Sequence, residues 1–502
     1  MLSSRLKIML STTKYFVTLN REHISCLRKR LKMRIIKKLQ GVRRHIIIIA
    51  RKPPLKRCLL RIKDIYEKIL DIFLKRKKIV FFTGWYRWTY NCPIIKQVFK
   101  RNVLTRLRYH PLSFEEKYVK SLVDITQIIK RFWEENDICN YKFLKYENLN
   151  LWELSKSSIF VKLTKCSIEN KQDMVEVKNY FNYTIHLIEC FKRLFKTEKP
   201  YAIFVEQGLQ YNSRTAVEIA RMFGIKTIAM ENSFIKDLIF IDSLSGAICN
   251  RHTLSRVSWD RIKARELTEK EKSRLNNYLK NYRGEISQSE RESVQEIRRK
   301  LKIKPEKRVA LLIAQVITDG VIAMDSYIYK DIVKFIRDTI TLFKDYPEYH
   351  LVVRLHPKES YGADQIARPY NNVTFERLKK LNLDKANGVS IVHSWQVNTY
   401  SLMDLADFAI TINSQAGLEM LSKHKSVIVL GDAFYGRKGF TYDVGFKECY
   451  PVIVKKLIMK PEITERQKRD IDKFFYYMIF EYLFPRDLRG SEEKVLKIVN
   501  KG

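Results

Sequence analysis

The sequence predicts an α/β fold built from two Rossmann-like domains, and three observations support this class. The chain has 502 residues, more than one ordinary hydrophobic core accommodates, and 45% of them are hydrophobic. Short apolar runs alternate with helical periodicity in two separate stretches, residues 201–232 and residues 308–430. A highly charged helical stretch, residues 259–305, lies between them. We therefore expect two α/β domains connected by helices.

The first α/β stretch predicts parallel strands that end in polar residues. Its strand–helix–strand order implies a parallel sheet, and in such sheets ligands bind at the carboxyl ends of the strands. The apolar spacing of residues 113–200 is typical of helices. The predicted elements are strands over residues 79–82, 201–208 and 226–232 and a helix over residues 212–223.

The second stretch repeats this order and is followed by an amphipathic helical tail over residues 462–502. A polar turn, residues 413–417, joins a buried strand to a helix whose first turn contains small residues. Free backbone N–H groups at such a helix start form an anion site. The predicted elements are strands over residues 309–314, 350–357, 389–393, 408–412 and 426–430, and helices over residues 328–343, 401–406 and 418–423.

The positive charge is concentrated at the beginning of the chain. Residues 1–80 contain 24 Lys/Arg against 4 Asp/Glu, which gives +20 of the total net charge of +40. Three interpretations fit: a membrane-surface element, a solvated helical face or a nucleic-acid site. We favour the membrane surface and expect no nucleic-acid partner. Interleaved Ile, Leu and Phe supply anchors, whereas no zinc pattern, RNP-type motif or convincing helix-turn-helix is found.

The cysteines and the hydropathy pattern bear on location. Eight cysteines are scattered without a C-x-x-C pair or metal-ligand spacing, which favours reduced thiols in a cytosolic protein. No run reaches the roughly 18 apolar residues that a membrane span needs, and no clear signal peptide is found. We expect a cytoplasmic protein, peripheral at the inner face of the cell membrane.

Four strand-end segments in the second stretch offer hydrogen-bond donors suited to phosphate and nucleotide. They occur in one order within about 125 residues, which argues against chance, although alone each has a plainer interpretation. Ser414 could be only a helix N-cap, and His356 only a turn residue before proline. The candidate nucleotide-sugar-binding residues are Gln315; Arg354, His356 and Pro357; Asn413, Ser414, Gly417 and Glu419; and Tyr435 and Arg437.

These segments resemble the capsule polysaccharide biosynthesis family, which contains bacterial β-Kdo transferases of the GT-B type. The matching elements are Gln315-Val316 with Asp319, His356-Pro357, the run from Ser414 to Leu421, and the run from Gly431 to Gly439. The resemblance covers about residues 200–445. It implies two domains facing a cleft, with CMP-linked Kdo as the sugar donor. Residues 230–234 match the family's acidic strand-end signature loosely, with Asn232 and Ser233 in place of an acid and a glycine.

Glycosyl transfer needs a group that activates the acceptor hydroxyl and a site that neutralises the leaving group. Glu231 and Glu206 end predicted strands of the first domain and are the candidate catalytic carboxylates. Each could instead cap a helix or pair with Arg214. Asp319 and Glu359 are weaker candidates. No DxD-like motif follows a strand, and a monophosphate leaving group needs less metal help, so we predict no required metal or other cofactor.

We therefore expect a glycosyltransferase that moves a Kdo-like sugar from a CMP-linked donor to a lipid-linked or polysaccharide acceptor. Two alternatives are a sialyl- or polyol-phosphate-transferase-like GT-B enzyme and a non-catalytic polysaccharide export or assembly protein. The predicted organisation is a basic helical extension (residues 1–75), an acceptor-side domain (76–300), a nucleotide-sugar-binding domain (301–460) and C-terminal helices (461–502).

The basic extension leads to a first prediction. Each Lys or Arg near an anionic surface contributes about 1 kcal/mol before screening by salt. The chain should therefore float with anionic vesicles in a salt-sensitive manner, and removal of residues 1–75 should abolish this. Equal binding to neutral vesicles, or binding that survives the truncation, would leave only a solvated helical face.

Overall fold

The chain was analysed as a computed structural model. The structure describes residues 77–82, 104–109, 122–165, 167–235, 238–242, 256–284, 291–317, 328–359, 372–393 and 395–485, with the single residues 319, 322, 326 and 494. The predicted basic extension, residues 1–75, lies outside the described residues. Within the described part, no helix is both long enough and apolar enough to cross a membrane.

The strands of the described residues form two six-stranded sheets and one small hairpin. The hairpin pairs β3 with β4, antiparallel. The strands are β1 Lys77–Phe82, β2 Leu104–Tyr109, β3 Lys145–Tyr146, β4 Leu149–Asn150, β5 Ala202–Glu206, β6 Lys226–Asn232, β7 Leu238–Asp242, β8 Arg308–Ile313, β9 Tyr349–Arg354, β10 Val389–Val392, β11 Phe408–Thr411, β12 Ser426–Val429, β13 Tyr442–Asp443 and β14 Phe484–Pro485.

Helices flank both sheets, so the predicted α/β class is confirmed. Many begin at a polar residue that caps the first turn: the Asn170 and Asp173 side chains form a reciprocal capping box before the longest helix. The helices are α1 Leu122–Glu135, α2 Leu151–Leu163, α3 Lys171–Glu198, α4 Tyr211–Met222, α5 Arg256–Lys263, α6 Glu269–Gly284, α7 Val294–Lys300, α8 Ile332–Phe343, α9 Val373–Lys380, α10 Thr399–Leu405, α11 Gln415–Ser422, α12 Cys449–Met459 and α13 Glu465–Tyr476.

The first sheet has the order β14-β7-β6-β5-β1-β2. β1, β5 and β6 are parallel, as the sequence predicts, but β7 and β14 are antiparallel additions that the sequence analysis did not anticipate. Glu206 pairs with Met230 in the ladder, so β5 and β6 end at the same edge of the sheet. This edge carries the two candidate carboxylates.

The second sheet is parallel throughout and has the order β10-β9-β8-β11-β12-β13. The chain runs outward from β8 through β9 to β10, then returns to the centre and runs outward in the other direction from β11. β8 and β11 are therefore central neighbours at a topological switch point, where open α/β sheets bind their ligands. Gln315 and Asn413 each lie two residues beyond the ends of these two strands.

Two helix starts differ from the predictions because capping residues determine them. The helix predicted from residue 328 begins at Ile332, where the Asp331 side chain accepts hydrogen bonds from the Val333 and Lys334 backbone N–H groups. The helix predicted from residue 418 begins at Gln415, directly after its N-cap Ser414. The second correction moves the helix N-terminus into the polar turn.

The C-terminal tail is only partly the amphipathic helix that the sequence predicts. α13 continues as a π-helical turn, Tyr477–Tyr482, and the chain then pairs β14 with β7 of the first sheet. Buried aromatic residues of the tail pack in the same cluster as residues of both α/β stretches. The tail therefore joins the first sheet after the chain has completed the second.

The two α/β stretches meet through the loop between β12 and β13, residues 430–441. Phe434 in this loop stacks on Phe234, which follows β6, with ring centroids 5.7 Å apart, and contacts Phe240 of β7 edge-on at 5.6 Å. Trp259 of α5 donates its indole N–H to the Lys438 carbonyl at 3.0 Å. We call residues 430–441 the bridging loop.

Candidate functional site

The ends of β8 and β11 are joined by the side-chain amide of Gln315. Its Nε2 donates to Asn413 Oδ1 at 2.6 Å and to Asp319 Oδ2 at 3.0 Å, and its Oε1 accepts from the Asn413 backbone N–H at 3.2 Å. Gln315 is buried. Because both hydrogens and the oxygen of the amide are engaged with protein atoms, Gln315 holds the turn after β11 in place rather than offering its amide to a ligand.

The turn after β11 presents the N-terminus of α11. The Ser414 hydroxyl accepts from the Ala416 N–H at 3.3 Å, and the Ser414 N–H donates to Thr411 Oγ1 at 3.2 Å. The Ser414 carbonyl accepts from the Gly417 N–H at 3.0 Å. These contacts engage the N–H groups of Ser414, Ala416 and Gly417 within the protein. The turn therefore offers an anion the positive end of the helix dipole, which the same contacts hold in one place.

Tyr435 supports this turn from below. Its hydroxyl donates to the Ser414 carbonyl at 2.5 Å, and its side chain has no exposed surface. A Cβ atom at Gly417 would collide with the Tyr435 hydroxyl, so the close approach requires glycine. The sequence predicts a direct contact between Tyr435 and a ligand. The ring is instead enclosed in the core, and its hydroxyl contacts the Ser414 carbonyl from the protein interior.

His356 follows β9 at the same edge of the sheet. Its Nδ1 accepts the Lys358 backbone N–H at 3.0 Å, so the neutral imidazole carries its proton on Nε2. Burial, with the nearby Lys358 and Arg354 charges, lowers the pKa of His356 to about 4. At neutral pH His356 is therefore an uncharged N–H donor. Pro357 begins the 3₁₀ turn Pro357–Glu359 that makes the Nδ1 contact possible, and its ring is exposed.

Arg354 does not reach the site in this structure. Its side chain is buried, and its guanidinium donates to the His393 carbonyl and, at 2.8 Å, to Thr399 Oγ1. Burial lowers the pKa of Arg354 to about 10, which leaves the group charged at neutral pH. The sequence prediction of a phosphate ligand is corrected here: Arg354 ends a strand, but its side chain connects β9 with the ends of β10 and α10.

Two carboxylates near the turn have different surroundings. Glu359 is fully buried and accepts from the Ile317 N–H, the Thr374 N–H and the Thr374 hydroxyl at 2.8–3.1 Å, so it ties the loop after β8 to α9. Glu419, one turn into α11, is partly buried, and burial raises its pKa to about 7 although a hydrogen bond with Tyr400 opposes this. Glu419 thus stays a candidate ligand contact predicted from the sequence.

Glu231 lies at the carboxyl end of β6 and is partly buried. Its Oε1 accepts from Gln207 Nε2 at 3.4 Å. Arg214, the alternative partner for the strand-end acids, pairs with Glu218 at 3.3 Å instead. Glu206 ends β5 beside it. Three residues after Glu231, Phe234 stacks on Phe434 of the bridging loop, so the carboxyl edge of the first sheet contacts the loop that follows β12 of the second.

The bridging loop carries two adjacent cations with opposite exposure. Arg437 is exposed, adopts φ +55°, and pairs with Asp432 at 3.2 Å. Lys438 is 8% exposed, and burial lowers its pKa to about 8. The sequence analysis named Arg437 and missed Lys438, because an Arg-Lys pair beside a glycine resembles solvated surface charge. The buried aromatic residues on both sides of the pair were the available signal.

The chain has sequence similarity to known proteins over much of both α/β stretches. Residues 188–455, slightly more than half of the chain, match the family described as capsule polysaccharide biosynthesis protein. The match includes the carboxyl ends of β5 and β6 in the first sheet and of every strand of the second sheet. The Escherichia coli capsule polysaccharide export protein KpsS is 30% identical over 139 residues, 27% of this chain and 33% of that protein.

Two further similarities were found. The Rhizobium meliloti lipopolysaccharide-processing protein LpsZ is 36% identical over 94 residues, 18% of this chain and 21% of that protein. The chain therefore spans about a third or less of each of these curated relatives. The solved Thermosulfurimonas dismutans KpsC, beta Kdo 2,7 transferase, has a TM-score of 0.40 at 12% identity, covering 85% of this chain and 99% of that chain.

The close packing of Gly417 on Tyr435 generates a prediction about stability. Gly417→Ala should lower the free energy of unfolding by about 1–3 kcal/mol, because the new methyl group is overpacked against the tyrosine hydroxyl. Tyr435→Phe removes that hydroxyl and its bond to Ser414, at a cost of about 1 kcal/mol. Urea unfolding of the double variant should show a loss smaller than the sum of the single losses by at least about 0.5 kcal/mol. Strictly additive losses would contradict the proposed contact.

Proposed function

The chain belongs to the capsule polysaccharide biosynthesis protein family, and from this premise we propose that it is a nucleotide-sugar-dependent glycosyltransferase. The donor we propose is a CMP-linked, Kdo-like sugar, and the acceptor is a lipid-linked or polysaccharide chain. The proposed nucleotide site is the carboxyl edge of the second sheet, and the proposed catalytic carboxylate comes from the first.

One observation carries the proposal: the ends of β8, β11 and β12 are locked together by side chains at the switch point. Gln315 bonds Asn413 through both ends of its amide, and Tyr435 bonds the Ser414 carbonyl. The result is a preorganised helix start, whose positive dipole end would face an anion without rearrangement of the turn. Preorganised dipoles of this kind stabilise charge that develops on a leaving group during reaction.

His356 would act as a neutral donor to the donor phosphate. Its Nδ1 is engaged by the Lys358 N–H, which leaves Nε2–H available. An uncharged donor beside a helix N-terminus can bind a phosphate oxygen through a hydrogen bond while the helix dipole favours its negative charge. This arrangement fits a nucleoside monophosphate leaving group, which carries less charge than a diphosphate.

Glu231 would act as the general base. In this scheme its carboxylate accepts the proton of the acceptor hydroxyl as that oxygen bonds to the anomeric carbon of the sugar. The bond from the anomeric carbon to the phosphate oxygen breaks, and CMP leaves with the electron pair. The hydrogen bond from Gln207 to Glu231 Oε1 would orient the carboxylate. Glu206 is the second candidate for this role because β5 ends beside β6.

The nucleotide site predicts a phenotype for His356. His356→Ala should weaken CMP binding by about tenfold or more in calorimetry, the scale of one lost hydrogen bond to a charged group. Because the pKa of His356 lies near 4, the ratio of wild-type to variant affinity should stay constant from pH 8 to pH 5.5. An ordinary histidine would become cationic over this range, and the ratio would rise as the pH falls.

His424→Ala is the matched control for that experiment. His424 follows the opposite end of α11 and bonds Asp472 at 2.9 Å. Its replacement should leave CMP affinity unchanged. Unaltered CMP affinity in His356→Ala would refute the assignment.

The catalytic carboxylate predicts a second phenotype. Glu231→Gln or Glu206→Gln should lower turnover by about 10²-fold or more, the scale of general base catalysis, with little change in donor affinity. Glu218→Gln, an acid on the surface of α4 that pairs with Arg214, is the control and should keep wild-type turnover. Turnover is measured as nucleotide release from a panel of CMP-, UDP- and GDP-sugars with acceptor. If the wild-type chain releases no nucleotide from any donor, a non-catalytic export or assembly role replaces this proposal.

A further inference from the structure

Lys438 is a buried cation for which the described residues supply no anionic partner. Its side chain is 8% exposed, and its ammonium group has a single hydrogen bond, a long one of 3.4 Å to the Gly436 carbonyl. The charge of Asp443 raises the pKa of Lys438 slightly against the effect of burial, but no Asp443 oxygen lies within ion-pair distance of the ammonium group. The Asp443 oxygens are engaged by the Arg437 N–H at 2.9 Å and the Thr441 hydroxyl at 2.7 Å.

This arrangement is energetically unusual. A buried ammonium group without a close counter-charge destabilises the folded protein, and burial accordingly lowers the pKa of Lys438 to about 8. The group nevertheless stays mostly protonated at neutral pH. A charge kept in such a position at a ligand edge is a candidate for function, since a bound anion would supply the missing partner.

The backbone around Lys438 is fixed on both sides. Trp259 of α5 bonds its carbonyl at 3.0 Å, and Tyr435, three residues earlier, bonds the Ser414 carbonyl at 2.5 Å. The bridging loop thus carries Lys438 three residues after the tyrosine that supports the start of α11, and the Lys438 ammonium lies against the Gly436 carbonyl, next to that tyrosine in the chain. Lys438 also lies on the segment whose Phe434 stacks on Phe234, three residues from Glu231.

The other cations expected at the site are committed elsewhere. The Arg354 guanidinium bonds the His393 carbonyl and Thr399, Arg437 is exposed and paired with Asp432, and His356 is neutral. The helix start and His356 supply only uncharged donors. A donor phosphate carries at least one negative charge, and an acidic sugar adds a carboxylate.

We propose that the Lys438 ammonium binds an anionic group of the nucleotide-sugar donor, either its phosphate or the carboxylate of an acidic sugar, and so provides the cation of the site. This inference rests on the proposed function. Both sources present oxygen anions that an ammonium group binds as a point charge. Lys438 is then a determinant of donor specificity.

The test is calorimetric titration of the full chain with CMP and with an intact CMP-linked acidic sugar. Lys438→Met keeps the length of the side chain and removes its charge, so it should lose about tenfold or more in affinity, as expected when one partner of a buried charged contact is removed. Lys438→Arg should retain most of the affinity. Lys460→Met, an exposed lysine after α12, is the control and should bind like the wild type.

The pattern of losses identifies the anion. A loss for both ligands assigns the phosphate, and a loss for the CMP-linked sugar alone assigns the carboxylate. The melting temperature separates binding from packing: Lys438→Met should be as stable as the wild type or more so without ligand, because an unpaired buried charge is gone. A merely structural lysine predicts lower stability with unchanged affinities, and that result overturns the inference.

Three further outcomes have defined consequences. If Lys438→Met does not fold, the same titrations on Lys438→Gln, whose amide can keep the bond to the Gly436 carbonyl, replace it, with the same expected losses. If the wild-type chain binds neither CMP nor any CMP-, UDP- or GDP-sugar, the proposed function is wrong, and this inference, which rests on it, is wrong too. Wild-type binding with unchanged affinities in the Lys438 variants overturns the inference alone.

Discussion

The hydrogen bond from the Tyr435 hydroxyl to the Ser414 carbonyl is the interaction on which the rest of the site depends. It joins the bridging loop to the start of α11 and explains why position 417 must be glycine. In the same loop, Phe434 packs in the aromatic cluster of the first sheet. The Lys438 carbonyl of this loop accepts a hydrogen bond from the Trp259 indole N–H. One loop therefore packs in the cores of both α/β stretches and also supports the turn of the candidate nucleotide site. A change in its packing would disturb the helix start and the contact with the first sheet together, because both depend on the same backbone.

The electrostatics of the site contrast with those of the whole chain. The net charge is +40, yet the described donors at the edge of the second sheet are a neutral histidine and backbone N–H groups. Burial raises the pKa of Glu359, Glu419 and Asp443, so the surrounding acids have a reduced tendency to ionise. One buried ammonium group has a strong effect in such surroundings because water and counter-ions screen it little. Half of the excess positive charge of the chain lies in residues 1–80 and bears on attraction to anionic surfaces, not on this site.

The sequence predicts where the site lies better than what each side chain does there. The parallel strands and the four strand-end segments follow from apolar runs and polar strand ends, and the second sheet has them at its carboxyl edge as expected. Arg354 shows the limit, because a strand-end arginine has the same pattern whether its guanidinium faces a ligand or the carbonyl after a neighbouring strand. Tyr435 fails for a related reason: burial is a property of the tertiary packing, which the local pattern does not contain. The return of β14 to the first sheet depends on two residues and on a contact with a strand more than 240 positions earlier.

The shared loop also constrains how the two carboxyl edges can cooperate. Glu231 is three residues from Phe234, and Phe234 stacks on the residue that precedes Tyr435. Only one ring contact therefore separates the strand that carries the candidate base from the residue next to Tyr435, which supports the proposed phosphate-binding turn. A donor bound at the start of α11 would contact the turn that Tyr435 supports. Phe434, the residue before Tyr435, packs against Phe234, which follows β6. If the proposed roles hold, the position of the base and the occupancy of the donor site are coupled through direct contacts, without any need for a distant pathway.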